Sequence, residues 1–133
     1  MKKNDVKYDL EDRLINYACL AIDIVETLPS TKAGNHIGNQ LVRCGTSPAP
    51  NYGEAEAAES IDDFIHKMKI SLKELRECSI WLKIIARRHM LQDTQRLHSI
   101  TDETNQLISI FMASIATAKR NRSKNTADIN SEK

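Results

Sequence analysis

An up-down antiparallel four-helix bundle is the fold class this sequence predicts, on three observations. Apolar residues recur at steps of three and four in four separate stretches, the signature of helices with one buried face. Only four glycines and three prolines occur in 133 residues, too few for the many tight turns of a β-rich fold. The stretches are joined by a few residues each, and short connections make neighbouring helices antiparallel. The length suits one domain with a single core, over about residues 1–120.

The first helix is expected over about 9–28. Leu14, Tyr17 or Ala18, Ala21, Val25 and Leu28 share a face, and Pro29 stops it. The second is expected over 33–58, with a kink or a short break near Pro48 and Pro50, because neither proline has an N–H to donate. The third, over 60–88, opens with Ser60 and Asp63 spaced as a capping box. Ile61, Phe64 or Ile65, Met68, Leu72, Leu75, Leu82 and Ile85 or Ala86 then carry its apolar face. The fourth is expected over 93–119, with Leu97, Ile100, Leu107, Phe111 and Ile115 or Ala118 on one stripe and Thr104 and Ser114 as its polar members. Residues 121–133 have almost no apolar side chains and read as a disordered tail.

The apolar faces are wider than one bundle core requires. Ile80, Trp81 and Ile84 flank the Leu82/Ile85 line, and Ile108 and Ile110 flank Leu107/Phe111. Surplus apolar width on outer helices predicts self-association.

Composition excludes several function classes. Cys19, Cys44 and Cys78 are odd in number and widely spaced, which argues for buried thiols in a reducing compartment and against a disulfide framework or zinc knuckle. The N-terminal stretch lacks an apolar signal core and no run is long enough to span a membrane, so a cytoplasmic protein is expected. The net charge is +1, but residues 83–124 hold 8 Lys/Arg against 3 Asp/Glu while residues 1–82 hold 10 against 13. One end or face should therefore be basic.

The most distinctive feature is polar. Gln40, Arg43, Ser47, Asn51 and Glu54 follow each other at helical spacing on one face, where an apolar stripe would be normal. Such a stripe is either a hydrogen-bond network or a working surface. The third segment offers Lys73, Glu74 and Glu77 as charged counterparts. Arg43 is expected to pair with Glu54, Glu74 or Glu77 in a partly buried network. Asn51 or Ser47 is expected to satisfy backbone groups freed by Pro48 and Pro50.

Catalytic constellations are thin. A di-iron bundle site needs two carboxylate-x-x-His pairs, and only Asp63 with His66 has that spacing. No metal or cofactor site is expected. No Arg is followed by His at the four-to-six-residue interval of HEPN ribonucleases, and no Gly-rich phosphate loop is present. The acids Glu54, Glu56, Glu59 and Asp62 could hold Mg²⁺ in an all-α nucleotide pyrophosphatase, the enzymatic alternative. A helix N-terminus that favours acids accounts for them equally. Two basic groups close the third and fourth segments: Lys83, Arg87 and Arg88, then Lys119, Arg120, Arg122 and Lys124. They are the candidate contacts to RNA or DNA phosphates.

The ladder and its continuation, Gln40-Leu41-Val42-Arg43-Cys44-Gly45-Thr46-Ser47 followed by Asn51-x-x-Glu54-Ala55, resemble the signature of the 23S ribosomal RNA intervening-sequence family. Phe64, Lys67, Leu72-Lys73-Glu74, Glu77 and Trp81-Leu82 match its second signature, and the likeness covers about residues 10–118. The resemblance implies a bacterial, non-enzymatic four-helix bundle that assembles into a homopentamer and needs no cofactor or small-molecule substrate. Kinship of that family with the accessory variability determinant of diversity-generating retroelements, a basic pentameric barrel, implies RNA, DNA or a reverse transcriptase as partners. This chain departs from its relatives in being nearly neutral and in carrying Pro48 and Pro50. A homo-oligomeric scaffold or accessory protein is the expectation.

Overall fold

Pro29, the Ser47–Pro48 step, the connection at residues 57–60 and the residues around His89 divide the chain into its helices. The computed structural model describes residues 2–131, with side chains described over residues 10–126. The elements are α1 (Lys2–Thr27), α2 (Lys32–Thr46), α3 (Pro48–Glu56), α4 (Ile61–Arg87) and α5 (Thr94–Ser131). The fold is all-α: no strand occurs among the described residues. None of the helices is long and apolar enough to cross a membrane.

Local chemistry sets each boundary. Thr31 caps α2 by accepting from the Gly34 N–H at 3.0 Å, and Ser60 caps α4 by accepting from the Asp63 N–H at 3.1 Å. Asp93 Oδ1 accepts from the Arg96 N–H at 2.9 Å ahead of α5. At the end of α4, Met90 N–H donates to Ile85 O and His89 N–H to Ala86 O, the Schellman pattern. His89 takes the left-handed φ of 52° that this motif demands.

The second leg of the bundle is two helices, α2 and α3, with the short break at Ser47 that the prolines lead one to expect. Without N–H groups, Pro48 and Pro50 leave the Cys44 and Thr46 carbonyls without their helical donors, and Pro48 instead starts α3 at its first turn.

Contacts run from α1 to α2 and α3, from these to α4, from α4 to α5 and from α5 back to α1. The backbones of the diagonal pairs, α1 with α4 and α5 with α2 or α3, do not approach each other closely among the described residues, so the four legs form a square. Ala21 faces Gly45 so closely that a Cβ on residue 45 would lie 2.6 Å from the Ala21 Cβ; only glycine lets α1 and α2 approach this far. Leu14, Ile24, Leu41, Met68, Leu75, Leu82, Ile100, Leu107 and Phe111 fill the centre. Ile24, one position before Val25, is the fully buried member of that turn of α1.

Two polar links lie inside this core. Tyr17 and Thr104 meet at 2.7 Å between α1 and α5. Cys78 and Cys44, both buried free thiols, have their sulfurs 3.1 Å apart between α4 and α2. Cys19, expected inside, is exposed because it lies on the side of α1 opposite Tyr17 and Ala21.

Disorder is expected over 121–133, yet α5 continues as helix through Ser131; residues 132–133 lie outside the described part. No glycine or proline follows Gly53, so nothing in the backbone ends the helix. Arg122 also ties the extension to Asp62 at 2.8 Å.

Candidate functional site

The polar ladder runs along α2 and α3 at their seam with α4, and Arg43 is its hub. Its Nη1 donates to Glu74 Oε2 at 2.9 Å, and its Nη2 donates both to Glu77 Oε2 and to Gln40 Oε1. The same Glu77 oxygen accepts from the Trp81 indole N–H at 3.1 Å. Trp81 in turn meets His36 edge-on, ring centroids 5.9 Å apart. The hydrogen bond from Arg43 holds the Glu77 carboxyl below its ordinary value, aided by the Trp81 bond and the charge of Lys73. Lys73 is exposed and acts at a distance.

The remaining rungs pair locally. Glu54 bonds Lys67 of α4 at 2.9 Å. Asn51 Nδ2 donates to the Ser47 carbonyl at 3.0 Å and to Ser47 Oγ at 2.8 Å. Asn51 does not serve the acceptors freed by the prolines; it reinforces the Ser47 carbonyl, which its own N–H already reaches.

One expectation is corrected in depth. The Arg43 side chain is 49 % exposed, so the guanidinium sits on the rim of the seam, while its expected partners Glu74 and Glu77, at 18 % and 33 %, are partly buried. Leu41 and Cys44 occupy the core-facing positions of α2, and residue 43 is turned away from both. Arg43, Glu74 and Glu77 therefore join helices across a solvated edge.

The two basic groups lie at opposite poles. Asp62 meets Arg122, and Arg76 meets Met112, which fixes α4 and α5 as antiparallel. Lys83, Arg87 and Arg88 thus stand at one end, and Lys119, Arg120, Arg122 and Lys124 at the other; all are exposed. Lys69, which carries no sequence signal beyond its charge, stands beside Lys119 and lowers its proton affinity by repulsion. Only the register of α5 against α4 brings these two ammonium groups together.

The acids of the enzymatic alternative do not converge on a metal. Glu54 is held by Lys67, Glu56 accepts from the Tyr52 hydroxyl at 3.2 Å, and Asp62 is held by Arg122. Glu59 is exposed in the α3–α4 connection. Among the described residues, no three His, Cys, Asp or Glu side chains are grouped to hold a metal ion. Asp63 and His66, the lone carboxylate–histidine pair, are both exposed on α4.

Comparison with known proteins places this architecture. A family model described as 23S rRNA-intervening sequence protein matches residues 10–113. The crystal structure of a protein of unknown function from the S23 ribosomal protein family of Bacteroides thetaiotaomicron VPI-5482 is similar, with 28 % sequence identity and a TM-score of 0.73. The match covers 79 % of this chain and 96 % of that one. No curated protein matches the chain.

Proposed function

The chain belongs to the 23S rRNA-intervening sequence protein family, and from that premise we propose that it works as a non-enzymatic, homo-oligomeric scaffold, a pentamer, associated with nucleic acid or a nucleic-acid enzyme. The observation that carries the oligomer is apolar surface on the outside of the bundle. Ile80 is 55 % exposed, Met112 49 %, Ile15 47 % and Ile22 41 %. Large aliphatic side chains on two outer faces, in a chain with a filled core, favour association. Light scattering at micromolar concentration tests it: a multiple of 15.1 kDa is expected, and a monomer overturns the reading.

Nucleic acid enters through exposed cations at the poles, foremost Lys119, Arg120, Arg122 and Lys124, repeated around the assembly. The partner is RNA or DNA, or a reverse transcriptase that carries it, contacted through phosphates without sequence readout. Binding is expected to weaken steeply as salt rises, and binding indifferent to salt overturns this part. The Mg²⁺-dependent pyrophosphatase reading is weaker, because Lys67, Tyr52 and Arg122 already engage three of its four acids. Thermal shifts without response to Mg²⁺ are expected. A reducing, cytoplasmic setting suits two thiols that touch without joining.

A further inference from the structure

Two faces of this bundle are unlike each other, and each is what the other lacks. On α1, Ile15, Cys19 and Ile22 follow one another at helical spacing on the side turned away from Leu14, Tyr17 and Ala21. The acids Glu11, Asp12, Asp23 and Glu26 surround them. Arg13, the one cation between residues 11 and 27, is turned to α5, where it bonds Glu103 and Gln106. Over residues 11–27 the outer face of α1 is thus apolar at its centre and acidic at its edges.

On α4 the pattern is inverted. Ile80 is the exposed apolar centre, with Ile84 half-buried beside it. Lys69, Lys73, Arg76, Lys83 and Arg87 are exposed around them. The acids of this stretch, Glu74 and Glu77, are both drawn into the seam by Arg43, which leaves the outer edge of α4 basic. The ladder therefore has an electrostatic consequence for the opposite edge of the same helix.

We propose that the outer face of α1 in one copy of this chain docks on the outer face of α4 in the next, a head-to-tail contact that rests on the homo-oligomer reading above. Apolar centres meet, and acidic edges meet basic ones. Because α1 and α4 stand across the square from each other, one chain offers both faces to two neighbours at once. A twofold contact would set acids against acids or cations against cations, so the charge pattern selects the heterologous arrangement. The same contact absorbs Lys83 and Arg87 and leaves the Lys119–Lys124 end as the outward basic rim.

Charge reversal tests the pairing. One variant carries Asp23→Lys with Glu26→Lys on α1; the other carries Lys69→Glu with Lys83→Glu on α4. None of these side chains is buried, and replacing Lys69 removes a like-charge contact with Lys119. Ile80→Asp is a second route to disable the α4 face should the Lys69→Glu/Lys83→Glu chain fail to fold. By light scattering, each variant alone is expected to lose the parent's assembly and run as a monomer of 15.1 kDa. Their equimolar mixture is expected to assemble again beyond a monomer, since the native faces remain matched and the reversed α1 of one variant is complementary to the reversed α4 of the other. Variants that keep the parent mass, or a mixture that stays monomeric beside an oligomeric parent, overturn the pairing alone. A monomeric parent overturns the oligomer reading with it.

Discussion

The Tyr17 hydroxyl donates to Thr104 Oγ1 at 2.7 Å, and Thr104 donates onward to the Ile100 carbonyl at 2.6 Å. Both residues are fully buried, so this relay is a polar joint between α1 and α5 inside an apolar centre. Its two ends are unequal. Thr104→Val strands a buried phenol and is expected to cost about 1–3 kcal/mol, whereas Tyr17→Phe removes the donor and costs about 1 kcal/mol. Urea unfolding of both variants checks the asymmetry, and equal losses would contradict it.

Arg43→Ala is expected to cost no more than about 1 kcal/mol, because the guanidinium is half in water and exposed ion pairs are weak. The buried network that the spacing suggests would cost about 3–5 kcal/mol on the same change. The two depths thus give separable outcomes in chemical denaturation. The pH response follows in sign. Glu77 titrates lower in the folded chain than its usual 4.5, so its contribution is present above that value and lost as pH falls below it. Arg43→Ala should flatten that part of the acid limb.

Tyr52 supplies the alkaline limb. Its hydroxyl donates to Glu56 and its ring meets Phe111 edge-on, centroids 6.1 Å apart. Burial, with the Glu56 charge, pushes the phenol up to about 12 from its usual 10. A raised folded value gives stability that is present below pH 10 and lost as pH climbs through about 12. Tyr52→Phe should shrink the loss over that window; an unchanged alkaline limb would count against the assignment.

His89 holds a left-handed backbone at φ 52°, a region where a side chain is strained and glycine is not. Its N–H and that of Met90 cap α4, so the conformation is required by the turn. His89→Gly is expected to raise the thermal midpoint, a gain of about 1 kcal/mol. A lowered midpoint would show that the imidazole contributes more than its strain removes.

The helices and their inward faces were legible because apolar spacing is a local property, and Leu75, Leu82, Leu107 and Phe111 all fall where the repeat puts them. Depth was not legible. Spacing tells that Arg43 shares a face with Gln40 and Ser47, but only the rotation of α2, with Leu41 and Cys44 inward, decides that this face meets the rim. Lys69 was missed for a related reason: a lone lysine acquires meaning from Lys119, fifty positions away and on another helix. The α5 extension was missed because polar composition argues against burial, not against helix, and a helix already nucleated can propagate without burying anything.

That extension sets the last consequence. At 38 residues α5 is about 57 Å long, against about 40 Å for the 27-residue α4 beside it. Past the exposed Arg122–Asp62 pair, the side chains of residues 123–126 are all exposed. Among the described residues, the Arg122–Asp62 pair is the last tooth of a zipper between α5 and α4. Where helix gives way to coil should move with salt and temperature, and amide exchange should quicken turn by turn past residue 122.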